Sequence, residues 1–170
     1  LLTAMMLGQI VGVPLWARAA GWEKGRAASL AFVVMAFGFG LFYVLAQSST
    51  PMAAVAISIV GVGASGALSL IWSMAADCCD LIQSRTGRRQ DGAAFGTLSF
   101  GAKLGSGLGA LALGSALSWM DYAPGMAMEP NATALIHSFN GLAPAAVAIV
   151  CALVLMTYDL SHARHRNLGV

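Results

Sequence analysis

The stretch AASLAFVVMAFGFGLFYVLA, from Ala27 to Ala46, contains 20 consecutive residues without a charged side chain. As an α-helix, a run of this length extends about 30 Å, which matches the hydrocarbon thickness of a typical bilayer. The whole chain has the same character, since 58% of its 170 residues are hydrophobic and 9% are charged. Soluble domains carry about 25% charged residues. The composition therefore predicts an all-α protein that lies in a membrane.

Four further apolar stretches accompany this one, and short connectors with Ser, Pro, Gly and Asn separate several of them. The chain begins at Leu1 inside an apolar stretch, without a methionine or a signal-peptide pattern, which favours a piece of a longer protein. We predict one bundle over residues 1–170 with about five membrane-spanning helices. The predicted spans are residues 1–15, 27–46, 52–76, 93–119 and 132–158.

The basic residues alternate between connectors. They follow the first, third and fifth predicted spans, whereas the connectors after the second and fourth spans contain no lysine or arginine. Cytoplasmic loops of membrane proteins are enriched in these residues, so the pattern predicts that odd-numbered spans end in the cytoplasm and that the C-terminus is cytoplasmic. The residues that form the pattern are Arg18, Lys24, Arg26, Arg85, Arg88, Arg89, Arg164 and Arg166.

Lys103 is the exception, because it lies about 10 residues, or about 15 Å, inside the fourth predicted span. In contact with lipid at that depth, a lysine would cost roughly 2.5–3.5 kcal/mol or more. Helical spacing places Lys103 on a small and polar face and places leucines on another, so we expect its face to look onto protein or a water-filled cavity. A buried ion pair that only fixes packing is the alternative to a functional role. The other residues of this face are Ser99, Ser106, Gly107 and Ala110.

A second group of charges occupies the segment AADCCDLIQSRTGRRQDG, from Ala75 to Gly92. Asp77 and Asp80 share a helix face at the predicted end of the third span, where the helix dipole disfavours negative charge and nearby arginines can compensate it. The alternative is a solvated loop with surface ion pairs worth at most about 1 kcal/mol each. The charged residues of the segment are Asp77, Asp80, Arg85, Arg88, Arg89 and Asp91.

This segment resembles a pattern of the glycoside–pentoside–hexuronide:cation symporters, the melibiose-permease-like branch of the major facilitator superfamily. Leu81 and Gln83 depart from the pattern, since the family has tyrosine and glutamate there, within the segment that it uses as a cytoplasmic gate. The matching residues are Asp77 with Asp80, TGRRQDG from Thr86 to Gly92, Phe100 with Lys103, Asp121-Tyr122-Ala123-Pro124, and Pro144.

The resemblance implies the C-terminal half of a transporter, with helices 8–12 of 12. It implies a secondary active transporter that couples Na⁺ or H⁺ to symport of a sugar or glycoside by alternating access, as a multi-pass protein of the bacterial inner membrane. The N-terminal half of the same transporter would be the partner of this chain and would bind most of the coupling cation. Neither a further cofactor or metal nor a nucleic-acid partner is expected.

By the same resemblance, Lys103 takes part in substrate and cation coupling, and the cytoplasmic gate consists of Asp77, Asp80, Arg85, Arg88, Arg89 and Asp91. Candidates for lining the cavity are Ser99, Ser106, Gly107, His137 and Asn140. For His137 and Asn140, an interhelical hydrogen bond is the alternative.

Other features carry less functional information. Cys78, Cys79 and Cys151 have no metal-ligand spacing and are expected to be small apolar residues. Trp16 and Trp119 lie near span ends, as in an aromatic belt. No nucleophile–base pair lies at one membrane depth, so we expect no enzyme. A related carrier of a lipid-like or drug-like amphiphile, and a non-transporting membrane assembly subunit, are the alternatives to a sugar symporter.

Overall fold

The computed structural model describes residues 1–19, 21, 23–46, 49–119 and 130–157, except for the side chains of residues 130–135 and 137. Within these ranges the chain forms five α-helices and no strand, which confirms the predicted all-α fold. The helices are α1 (Leu2–Ala19), α2 (Lys24–Leu45), α3 (Thr50–Thr86), α4 (Asp91–Trp119) and α5 (Pro130–Met156).

Three helical segments in the described part of the chain are long and apolar enough to cross a membrane, namely α2, α3 and residues 138–156 of α5. The sequence predicted about five spans. Helices α1 and α4 are not among these segments; α1 contains Gln9 and Arg18, and α4 contains Lys103 and many glycines and serines.

The chain divides into two units. Unit 1 contains residues 1–74 and 138–170, and unit 2 contains residues 75–137. The described core of unit 1 is rich in alanine, which lets helix backbones approach one another closely. Its buried members are Trp16, Ala27, Ala28, Ala31, Ala67, Leu70 and Met74.

Glycines form the helix contacts of unit 1. A Cβ atom at Gly63 of α3 would lie 2.6 Å from the backbone nitrogen of Met35 and 2.7 Å from the carbonyl oxygen of Ala31, both in α2. At Gly61 of α3, a Cβ would collide with the carbonyl oxygen of Met5 in α1. These glycines therefore set the spacing of α3 from both neighbours, as small residues do between membrane helices.

Trp16 lies in the core of unit 1, and the prediction that it belongs to an interfacial belt is wrong. It is 7% exposed, and its indole Nε1–H donates a hydrogen bond of 2.8 Å to the carbonyl oxygen of Val62. Its ring covers Gly66 of α3, where a Cβ would collide with it. The hydrogen bond satisfies the polar end of a buried indole.

Serine hydroxyls add hydrogen bonds between the helices of unit 1. Ser58 Oγ donates to the carbonyl oxygen of Ala4 at 3.0 Å, and Ser29 Oγ donates to that of Ala152 at 2.9 Å. The first bond joins α3 to α1, and the second joins α2 to α5. In model membrane proteins, a bond of this kind stabilises helix association by about 0.6–2 kcal/mol.

Candidate functional site

The charged segment before α4 is helical for most of its length. Helix α3 continues to Thr86, ten residues beyond the predicted span, so the connector to α4 is only residues 87–90. The expectation that Asp77 and Asp80 lie at a helix C-terminus is therefore wrong, because Asp80 precedes the last helical residue by six positions. The field of the helix dipole decays within the last turn, which holds Arg85, a favourable charge there.

A left-handed glycine ends α3. Gly87 has a φ of 68°, and its N–H donates to the carbonyl oxygen of Gln83 at 2.9 Å. The hydroxyl of Thr86 donates to the carbonyl oxygen of Ile82 at 2.7 Å and accepts from the backbone N–H of Arg88 at 3.3 Å. This is a helix C-cap of the αL type, and it fixes the start of the connector.

The connector joins one arginine to the first residue of α4. Arg89 Nε lies 2.6 Å from Asp91 Oδ2, and the two side chains are 61% and 40% exposed. Hydrogen bonding to Asp91 and its negative charge raise the pKa of Arg89 above its ordinary value, so the guanidinium stays charged. Asp91 is also favourably placed in the first turn of α4, where the helix dipole attracts a carboxylate.

The second carboxylate oxygen of Asp91 has no such partner. Asp91 Oδ1 is buried and has no hydrogen-bond partner of standard geometry among the described residues, although burial and the nearby Asp91 carboxylate raise the pKa of the Cys79 thiol. An unsatisfied polar atom of this kind costs about 1–3 kcal/mol. The ion pair with Arg89 therefore uses only part of the capacity of this carboxylate.

The other predicted gate residues are less closely joined. Asp77 and Asp80 are half-buried on α3, and Asp77 also takes part in a further interaction. Arg85 and Arg88 are exposed. Within unit 2 the structure thus brings Arg89 and Asp91 together and leaves the guanidinium groups of Arg85 and Arg88 accessible.

The predicted face around Lys103 is exposed along its length. Ser99, Lys103 and Ser106 are all exposed, and no residue of α4 is buried. Ser106 Oγ donates a hydrogen bond of 2.8 Å to the carbonyl oxygen of Lys103, and no carboxylate of the described residues forms an ion pair with the lysine. The expectation that protein or water covers this face therefore stays a prediction.

Glycines distinguish α4 from the helices of unit 1. A Cβ atom at any glycine of α4 would meet nothing within 4 Å, whereas most of the helical glycines described in unit 1 lie against another helix. The glycines are Gly92, Gly96, Gly101, Gly105, Gly107, Gly109 and Gly114.

Two other candidates and the cysteines give less information. The side chain of His137 lies outside the described residues, whereas Asn140 is exposed in unit 1 and has an interaction partner. Cys78, Cys79 and Cys151 form no disulfide bond with one another, and Cys79 is 1% exposed. Among the described residues, no group of three or more His, Cys, Asp or Glu side chains could hold a metal ion.

We expect Gly87→Ala to destabilise the full-length protein by about 1–2 kcal/mol, because a side chain disfavours the left-handed conformation at this position. Gly92→Ala is the matched control, since it lies in the first turn of α4 and its Cβ would also meet open space. Thermal unfolding of the purified protein measures both variants. An equal melting temperature for the two would contradict the proposed role of the cap.

Comparison with known proteins identifies the family. Residues 1–162 match the family described as MFS/sugar transport protein. The chain belongs to this family. The MFS/sugar transport family consists of membrane transporters, so the predictions of a multi-pass membrane protein and of a protein that is not an enzyme are confirmed.

Two relatives from Escherichia coli (strain K12) indicate to which branch of the family this MFS chain is similar. It is 23% identical to a glucuronide carrier protein homolog over 133 residues, which are 78% of this chain and 29% of the relative. The second relative is YagG, which is described as a candidate glycoside/cation symporter. The chain is 31% identical to it over 96 residues, which are 56% of this chain and 21% of the relative. The chain thus spans less than a third of the length of these curated relatives. The matches confirm the resemblance to the glycoside–pentoside–hexuronide:cation symporters.

Proposed function

We propose that the protein to which this chain contributes is a secondary active transporter that couples Na⁺ or H⁺ to symport of a sugar or glycoside. The observation that carries the proposal is Lys103, a cation in the apolar helix α4 of a chain that belongs to a sugar transport family. The names of the relatives, a glucuronide carrier homolog and a candidate glycoside/cation symporter, support this substrate class.

In this proposal, Lys103 exchanges partners during transport. The lysine pairs with a carboxylate from the part of the protein outside this chain, and the coupling cation and the solute change the strength of that pair. A cation at mid-depth is stable only beside opposite charge or water, so its partner must change when the cavity opens to the other side. Ser99 and Ser106 lie on the same face and offer hydroxyl groups to the solute or to water.

The charged segment of unit 2 acts as the cytoplasmic gate. The accessible arginines Arg85 and Arg88 bind carboxylates on the other half of the transporter when the cavity faces outward, and they release them when it opens inward. Asp91 holds Arg89 beside these arginines through their ion pair. Exposed ion pairs are worth about 0–1 kcal/mol each, which suits a gate that must open repeatedly.

Transport by the full-length carrier in liposomes tests this function. We expect accumulation of a radiolabelled β-glucuronide or other glycoside above the external concentration under an inward gradient of Na⁺ or of H⁺. Liposomes without an ion gradient are the control, and they should only equilibrate. Equal uptake with and without gradients would contradict coupling, and uptake of amphiphiles but of no sugar would favour the alternative cargo.

We further propose that the carrier lies in the bacterial inner membrane with a cytoplasmic C-terminus. The basic connectors support this orientation through the positive-inside rule. In a full-length carrier from which every native cysteine has been removed, we expect Glu23→Cys and Arg88→Cys to react with an impermeant maleimide only in inside-out vesicles. Ser49→Cys should react only in intact cells or spheroplasts. Labelling of positions 23 and 88 from opposite sides would contradict the orientation.

A further inference from the structure

A groove in unit 1 runs between α2 and α5. The hydrogen bond from Ser29 to the carbonyl oxygen of Ala152 joins the beginning of α2 to the end of α5, so both lie at the same end of the unit. The groove has a volume of about 320 Å³, and Ala36 and Ala152, which are 8% and 3% exposed, form its floor. Its walls consist of larger apolar side chains: Val33, Phe37, Ile149, Leu153 and Met156.

The walls of this α2–α5 groove differ from the surfaces that contact other helices. Within unit 1, small residues form the helix contacts, as Gly38 does against Val60 and Gly141 does against Tyr43. The groove walls instead present large aliphatic and aromatic groups that remain exposed, such as Phe37 at 63% and Leu153 at 59%. Membrane helices place small residues against one another, so a wall of this composition fits lipid better than another helix.

The burial of the two helices agrees with this assignment. Only 28% of the most apolar segment of α2 and 22% of that of α5 are buried, compared with 44% for α3. The two helices that form the groove are thus the most exposed of the three candidate spans in the described part of the chain.

A basic residue lies on the same face of α2 as the groove residues, nearer to the beginning of the helix. Arg26 precedes Val33 by seven positions and Phe37 by eleven, which is helical spacing along one face. The offset between Arg26 and Val33 is about 10 Å along the helix axis. A headgroup layer is about 5–7 Å thick on each side of the hydrocarbon core. When Val33 lies among acyl chains, Arg26 therefore lies at the level of the headgroups.

Arg26 is accessible to an anionic headgroup. Its Nε lies 2.9 Å from Glu23 Oε2, but the side chains are 82% and 52% exposed, and ion pairs with this exposure are weak. The guanidinium group binds phosphate oxygens through two parallel hydrogen bonds, which a single exposed carboxylate does not prevent. Together with Lys24, these residues give the beginning of α2 a net charge of +1.

We propose that the α2–α5 groove binds an anionic phospholipid. One acyl chain lies over Ala36 and Ala152 between the two apolar walls, and the phosphate group binds Arg26. Basic sites at the ends of membrane helices recognise anionic headgroups in this way. The apolar groove supplies affinity for any phospholipid, whereas Arg26 supplies the preference for a negatively charged one.

Lipid retention by the purified full-length carrier tests the charge of the site. The protein in detergent is titrated with phosphatidylglycerol or with phosphatidylcholine that has the same acyl chains, and bound lipid is counted by native mass spectrometry. We expect the wild-type protein to prefer phosphatidylglycerol and Arg26→Gln to reduce that preference about fivefold. Arg18→Gln is the matched control, since it removes an exposed arginine from the end of α1 and leaves the groove unchanged.

A second pair of variants tests the groove itself. Val33→Trp fills the groove and should reduce retention of both lipids, whereas Leu68→Trp enlarges an exposed apolar residue elsewhere, which is 63% exposed, and should not. If Val33→Trp fails to give a monodisperse protein, the comparison of Arg26→Gln with Arg18→Gln decides alone. Equal retention of the two lipids by the wild type, or equal effects of the two arginine variants, would overturn the proposal. So would a wild-type dimer that Val33→Trp dissociates, because a second copy would then cover the groove.

Discussion

Lys103→Ala is expected to lower gradient-driven accumulation of glycoside by the full-length carrier about tenfold or more. In the proposed mechanism, the substitution leaves the carboxylate that pairs with the lysine uncompensated, which is the most costly way to break an ion pair. The carrier should still reach the membrane, because Lys103 is exposed in unit 2 and contributes no buried contact there. Uptake into liposomes and the amount of reconstituted protein measure the two effects separately.

Two further variants separate charge from packing at this position. Lys103→Arg keeps the positive charge but has a larger and more rigid head, so we expect partial activity. Leu108→Ala is the control on the leucine face of α4, where the side chain is 57% exposed, and it should leave accumulation near the wild-type value. Wild-type accumulation by both Lys103 variants would exclude the coupling role. Loss of solute exchange without a gradient would indicate a role in solute binding instead.

Gly38→Ala is expected to destabilise the protein by about 2–3 kcal/mol, as overpacking of a close contact does. Its Cβ would lie 2.7 Å from the backbone nitrogen of Val60 and 2.8 Å from Val60 Cγ2. The backbone of α3 cannot rotate away, so α2 and α3 must separate. Separation would also loosen the contact of Gly63 with Met35.

The same helix offers a close control for this experiment. Gly40 lies two residues further along α2, and a Cβ there would meet nothing within 4 Å. Gly40→Ala should therefore be neutral, or stabilising by up to about 1 kcal/mol, since alanine favours the helix. Thermal unfolding of both variants of the full-length carrier in one detergent gives the comparison. Equal melting temperatures would show that the approach of α2 to α3 tolerates a methyl group.

Hydropathy predicted the all-α fold because backbone N–H and C=O groups in lipid must find hydrogen-bond partners, and a helix supplies these partners within each apolar segment. It failed at the end of α3, where the chain becomes polar at Asp77 but the helix continues to Thr86. Apolarity shows only where a helix lies in lipid. Thr86-Gly87 is the local signal that could have placed the end, because glycine commonly follows the last residue of a helix.

Tertiary contacts decided the features that the sequence could not predict. Trp16 has the position of a belt residue along the chain. In unit 1, however, its ring packs over Gly66 and its indole N–H donates to the carbonyl oxygen of Val62. Arg89 and Asp91 are two positions apart, so their ion pair was accessible to sequence reasoning. The surroundings of Lys103 depend on residues far away along the chain, which explains why spacing predicts its face but not its partner.

The environment of Trp16 has an optical consequence. An indole that is shielded from water and bonded to a carbonyl oxygen should fluoresce at shorter wavelength than an indole in water. Any step of the transport cycle that parts α1 from α3 would shift the emission of Trp16 to the red. In a variant whose other tryptophans are replaced by phenylalanine, Trp16 would therefore report on that contact without an attached dye.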